Sequence, residues 1–298
     1  MNENTRRLIS YVCDGDMKRA KQQARIILDS DHTEKNMRFR EDNIRKLEAK
    51  KSLIELPYNL KSLLIAEDSE NYPEGKFLLR DDEMMIAERT LATYRASNKL
   101  IELGIPYLPT LMLYGESGCG KTELARYIAY KADLPFVYVR FSNLLGSLLG
   151  DTQKNLSRIF EYVRSAPCVL CFDEIDTIGM ARGQQDDVGE MSRVVIALMQ
   201  ELDQLPNNVI IIGTTNRFDR LDKALVRRFS LQYEVTPLSD SEAAELTNKF
   251  FGYAGMTPPD IPKWLIENDL SGKIPAYKVI KACTEHIVAQ ILKEETKQ

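Results

Sequence analysis

"TLMLYGESGCGKTELARYIAYKA", residues Thr110 to Ala132, decides the fold. TLMLY reads as a short buried strand and ELARYIAYKA as a helix. Between them, Gly115, Glu116, Ser117, Gly118, Cys119, Gly120, Lys121 and Thr122 match the phosphate-loop pattern G-x-x-x-x-G-K-[ST]. Glycines there let backbone N–H groups converge on phosphate oxygens without Cβ clashes. The following helix turns about half a positive charge toward the anion. Lys121 supplies a point charge for the β- and γ-phosphates, and the Thr122 hydroxyl is placed to ligate Mg²⁺. The stretch predicts a phosphate-bearing ligand with Mg²⁺.

Working outward, "PFVYVR", "CVLCFD", "NVIIIGTT" and "LQYEV" are further short apolar runs, separated by helix-like stretches. That alternation predicts an α/β fold with a parallel sheet between helices. "CVLCFDEID" (Cys168 to Asp176) raises a second question, because C-x-x-C can bind metal or run redox chemistry. Along a strand, Cys168 and Cys171 point to opposite faces and cannot share one ion. No second C-x-x-C occurs, and the chain has only two histidines. The cysteines therefore read as small core hydrophobes. Asp173 emerges at the strand's C-terminal end, where open α/β sheets bind ligands, and is expected to hold the Mg²⁺ coordination sphere. Glu174 is the candidate to polarise an attacking water. Asp176 reads as a structural acid. "IIIGTTN" ends in Asn216, whose amide suits both the γ-phosphate and the water. "LDKALVRRF" follows with Arg227 and Arg228, which alone would read as a solvated or salt-bridged pair.

Residues 1–66 are helical in pattern with a mild basic excess, and read as a solvated face or a docking module. "LKSLLI", between turn-rich "ELPYN" and "DSENYPEGK", reads as linker. A helix is expected from Asp81 to Leu103, stopped by Gly104 and Pro106. Residues 67–237 form the expected nucleotide-binding domain. After Pro237 only helices are expected, over 238–298, with Asp240 or Ser241 capping the first and Gly252 or Gly255 closing it. The 298 residues are 44% hydrophobic and 28% charged with net charge −4, an ordinary balance that implies neither a membrane nor a nucleic-acid partner. No apolar run approaches the roughly 20 residues that span a bilayer. The N-terminus lacks a secretory h-region, and five scattered cysteines argue against a disulfide framework, so a cytoplasmic location is expected.

In order and spacing these motifs resemble the AAA+ ATPase superfamily, and within it the AAA clade. GESGCGKT resembles Walker A, CVLCFDEID Walker B, GTTNRFDRLD the sensor 1 region, and LDKALVRRFS the arginine-finger stretch. The resemblance implies a five-stranded P-loop sheet, a small all-α lid, and a homo-oligomeric ring, usually hexameric, with ATP between subunits. Arg227 and Arg228 would then reach the neighbour's ATP, with Arg228 the preferred single finger. Leu148-Leu149-Gly150 falls where translocating members carry a pore loop, without the usual aromatic. Gly272 and Ala276 fall where the lid approaches the adenosine. The function implied is ATP-driven remodelling or translocation of a protein client. An ATP-dependent switch or loader on nucleic-acid machinery is the alternative, supported only by the basic N-terminal stretch.

Overall fold

The structure, a computed structural model, describes residues 3–13, 17–30, 36, 40, 56–70, 72–105, 107–141, 144, 149–165, 167–179, 188–205 and 209–295. The chain divides into two compact units, Met1–Glu55 and Leu56–Gln298. The first contains helices α1 (Glu3–Cys13) and α2 (Met17–Ser30), which pack on each other. Gln23 on α2 donates to Asn4 Oδ1 at 3.3 Å, and Ala20 is buried. Of residues 1–66, expected to be helical in pattern, 41–55 lie outside the described residues.

The second unit holds the sheet, built from β1 (Leu64–Glu67), β2 (Thr110–Tyr114), β3 (Phe136–Val139), β4 (Val169–Phe172), β5 (Ile210–Thr215) and β6 (Leu231–Glu234). Their order is β1-β3-β4-β5-β2-β6. The five strands expected from the sequence are parallel to one another. The sixth, β1, pairs antiparallel with β3, Leu64 opposite Val139 and Glu67 opposite Phe136. It corrects the linker reading of "LKSLLI". The run is too short and too close to turns to show a strand period, and only pairing with β3 fixes it as extended.

Both faces of the sheet are covered. On one face, α3 (Asp81–Glu102) and α4 (Lys121–Ala132) pack through Leu91, Leu124 and Ile128 against Leu111, Leu113, Cys171 and Ile212. On the other lie α5 (Leu149–Ser165) and α7 (Val188–Asp203), with the one-turn α6 (Asp176–Gly179) between them in sequence. Phe160 of α5 stacks on Phe172 of β4 with ring centroids 5.9 Å apart, and both are fully buried. Burying such a ring is worth about 1.5–3 kcal/mol. Burial on both faces explains why the strands read as continuous apolar runs rather than alternating ones.

A short helix α8 (Lys223–Val226), N-capped by Asp222, precedes β6. Three more helices follow: α9 (Asp240–Tyr253), α10 (Ile261–Glu267) and α11 (Ala276–Glu295). They enclose a separate core around Phe251, Trp264, Leu265 and Cys283. The N-cap of α9 is Ser239 rather than the residues expected: its side chain accepts from the Glu242 N–H, and the Glu242 carboxylate accepts from the Ser239 N–H. This reciprocal pair satisfies two otherwise orphaned donors. α10 was not anticipated, since Pro258, Pro259 and Pro262 obscure its period.

Candidate active site

Three loops meet because β4, β5 and β2 are adjacent and parallel: β2 and β5 end level, with Tyr114 beside Thr215, and β4 ends two residues earlier, with Phe172 beside Gly213. The phosphate loop follows β2, Asp173 and Glu174 follow β4, and Asn216 follows β5. They border a cleft of about 360 Å³.

The loop's backbone depends on glycine at two tight positions. Gly115 has φ +134°, and a Cβ there would lie 2.3 Å from the Val235 carbonyl oxygen. Gly118 has φ +79°, and a Cβ would lie 2.2 Å from Cδ1 of Tyr277. Tyr277, in the first turn of α11, also donates its N–H to the Gly118 carbonyl at 3.0 Å. The C-terminal helical region thus rests directly on the phosphate loop. The Lys121 ammonium donates to the carbonyls of Gly115 (2.9 Å) and Glu116 (2.8 Å). Burial holds its pKa below the usual lysine value, against the pull of Cys119 and the nearby carboxylates.

Asp173 collects hydroxyls. Thr122 Oγ1 donates to Oδ1 at 2.9 Å, Thr214 Oγ1 donates to the same oxygen, and the Tyr138 phenol donates to Oδ2 at 3.2 Å. Burial, then the adjacent carboxylate, pushes the Tyr138 pKa up to about 12, so the phenol stays a donor. Glu174 has φ +51°, a left-handed backbone uncommon for a residue with a side chain. Thr214 pins that turn, accepting from the Glu174 N–H at 3.1 Å and, through its carbonyl, from the Ile175 N–H at 2.9 Å. Asp176 is buried and accepts from Thr215 Oγ1 at 2.7 Å, which ties the β4 and β5 loops together.

The structure brings Ser117, Gly118, Cys119, Gly120, Lys121, Thr122, Asp173, Glu174, Asn216 and Ala276 to one cleft. Gly115 and Glu116 instead support it, through their carbonyls. Gly272 does not line the cleft; its N–H is bound to Asp240 Oδ1 at 2.6 Å, and it borders an outer hollow beside Lys273. One turn into α11, Tyr277 and Ile280 line the cleft with Ala276. Arg227 and Arg228 lie away from it. Arg227 is exposed, and Arg228 forms a two-pronged pair with Asp203 (2.9 and 2.8 Å) while donating to the Ala224 carbonyl. The tripeptide Leu148-Leu149-Gly150 lies outside what the structure describes, except that α5 begins at Leu149.

Sequence reasoning missed Tyr138, Thr214 and the apolar segment Phe77-Leu78-Leu79, which lines the cleft from before α3. Tyr138 and Thr214 sit inside strands that read as plain core, and their hydroxyls were the available signal. Cys168 and Cys171 are fully buried and unpaired, and burial pushes Cys168 up to about 12 and Cys171 well above its ordinary value.

Residues 111–237 match the family described as "ATPase family associated with various cellular activities (AAA)". The chain carries an AAA ATPase domain. It is similar to the peroxisomal ATPase pex6 of Schizosaccharomyces pombe, 38% identical over 167 residues, or 54% of this chain and 17% of that protein. It is also similar to the peroxisomal ATPase PEX6 of Arabidopsis thaliana, 39% identical over 163 residues (51% of this chain, 17% of the relative). With that of Dictyostelium discoideum the identity is 42% over 132 residues (43% and 11%). The match covers less than a fifth of each of these relatives. No helix among the described residues is long and apolar enough to cross a membrane.

Proposed function

We propose that the chain binds and hydrolyses ATP, and that it works as one subunit of a ring that remodels or translocates a protein client. The observation that carries this reading is the meeting of Thr122 Oγ1 and Asp173 Oδ1, 2.9 Å apart, at the mouth of the phosphate loop with Glu174 beside them. The donor set is all oxygen and small, which fits Mg²⁺, a cation that takes one or two protein oxygens and completes its shell with phosphates and water. Thr122 and Asp173 would hold it, and when bound it neutralises phosphate charge.

The loop's N–H groups and Lys121 bind the triphosphate. Glu174 takes the proton of the attacking water, and Asn216 orients that water. The arginines complete a neighbouring subunit's site, where such a contact is worth about 10³–10⁵ in rate. The exposure of Arg227 and the engagement of Arg228 with Asp203 favour Arg227 as the first to cross the interface. Residues 238–298 act as the lid. The mild basic excess of residues 1–66 is the sole support for the nucleic-acid alternative, and a homo-hexamer is the assembly this reading prefers.

The test is capture of clients with Glu174→Gln in ATP, followed by release on Lys121→Ala substitution in the same chain. A trap that holds no protein beyond background, while still binding ATP, would overturn the client reading.

A further inference from the structure

We infer that Tyr138 is a positioning residue for Mg²⁺: its phenol fixes the Asp173 carboxylate so that the Thr122–Asp173 pair is ready for the metal. This rests on the ATPase reading above.

The argument starts from the sheet. Tyr138 lies opposite Cys171 in the β3–β4 register, and Cys171 is two residues before Asp173. Side chains two apart share a face, so Tyr138, Cys171 and Asp173 all face α4. Phe136, Val137 and Val139 around Tyr138 are fully buried, whereas Tyr138 is partly exposed at the cleft end of its strand. Its ring packs on the apolar core, and its hydroxyl extends past that core to Asp173 Oδ2.

The two carboxylate oxygens are treated differently. Oδ1 accepts from Thr122 and Thr214. Among the described residues, Oδ2 accepts from Tyr138 alone. The two donors on Oδ1 already restrain rotation about Cβ–Cγ, and the phenol on Oδ2 adds a restraint at the other oxygen, so that both ends of the carboxylate are held. The phenol is carried on a stiff ring seated in the sheet, so it loses little freedom in doing so. A carboxylate already oriented does not have to be ordered when the metal arrives, and that ordering is part of the cost of binding.

The test is the Mg²⁺-dependent gain in affinity for a non-hydrolysable ATP analogue, measured by calorimetry in EDTA and across a Mg²⁺ titration. Tyr138→Phe keeps the ring and removes the hydroxyl. Affinity in EDTA should match the parent, and Tm without nucleotide should stay close to it. The Mg²⁺-dependent gain should shrink about three- to tenfold, the scale of an ordinary net hydrogen bond, because the phenol acts on the metal only through Asp173. The Mg²⁺ concentration for half-maximal hydrolysis should rise by a similar factor, with the rate at saturating Mg²⁺ nearly restored. A variant whose Mg²⁺ titration overlays that of the parent overturns the inference, as does an equal loss in EDTA and in Mg²⁺. A parent chain that binds no analogue under either condition overturns the ATPase reading instead, and the inference with it.

Discussion

Lys121 donates to two backbone carbonyls that belong to its own loop, and burial weakens its charged form. Lys121→Ala should therefore lose ATP affinity, read by calorimetry, without a large loss of fold stability. Glu174→Gln keeps the shape of the side chain and removes the base, so ATP should bind as in the parent while steady-state hydrolysis falls at least about 100-fold. The cysteines make a separate prediction. Cys168 has its thiol raised from the ordinary 9.0 to about 12, and Cys171 is raised too, whereas Cys13 is exposed. A maleimide should label Cys13 in the native chain and reach Cys168 and Cys171 only after denaturation. Because the unfolded thiols ionise first, their burial favours the fold fully below about pH 9, and that contribution is lost as pH rises through 9 toward 12. Urea midpoints measured from pH 8 to pH 11 should fall, and the fall should lessen in Cys168→Ala. The gathering of the phosphate loop, Asp173 and Glu174 at one cleft was legible residue by residue, since glycine, lysine and carboxylate types at fixed spacing have few other uses. Tyr138 and Thr214 were not, because an aromatic or β-branched residue in a strand is first a core residue, and only the third dimension shows where its hydroxyl goes.

Among the elements, the strands after residue 110 were readable from their apolar runs, and α3 from its end signals at Gly104 and Pro106. β1 was not, since its four residues acquire their conformation from β3. The first turn of α9 offers a local test. Ser239→Ala removes a side chain that accepts from the Glu242 N–H and should cost about 1 kcal/mol, seen as a lower Tm. The lid's contact with the phosphate loop makes a sharper one. Gly118→Ala sets a methyl against the Tyr277 ring at a backbone angle that suits glycine, so nucleotide affinity should collapse. Adding Tyr277→Ala should relieve the steric part and leave the backbone part, giving partial recovery of binding.

At the scale of the whole molecule, a site completed by a neighbour must depend on concentration. Specific activity should rise as the chain is concentrated, and ATP should shift sedimentation toward larger species. Mixing Glu174→Gln with Arg227→Ala chains, each nearly inactive, should restore activity at interfaces that join an intact Glu174 to an intact Arg227. Mixed assemblies with no recovered activity would return the arginines to a solvated or salt-bridged role. The same mixture with Arg228→Ala shows whether its pairing with Asp203 is released in the working assembly. The chain also has a built-in optical probe. Its single tryptophan, Trp264, sits in the lid core with its indole N–H on His286 Nδ1 at 3.2 Å, while the sheet has none. Emission therefore reports on three helices, and far-ultraviolet ellipticity on everything. Coincident melting curves from the two signals mean that lid and sheet unfold as one cooperative block, which is the expected result for two parts of the unit Leu56–Gln298, a separate step in ellipticity alone belonging to Met1–Glu55. An emission curve that falls earlier marks the lid as an independently fraying part, and the gap between the two curves in rising ATP then measures how far nucleotide fastens it down.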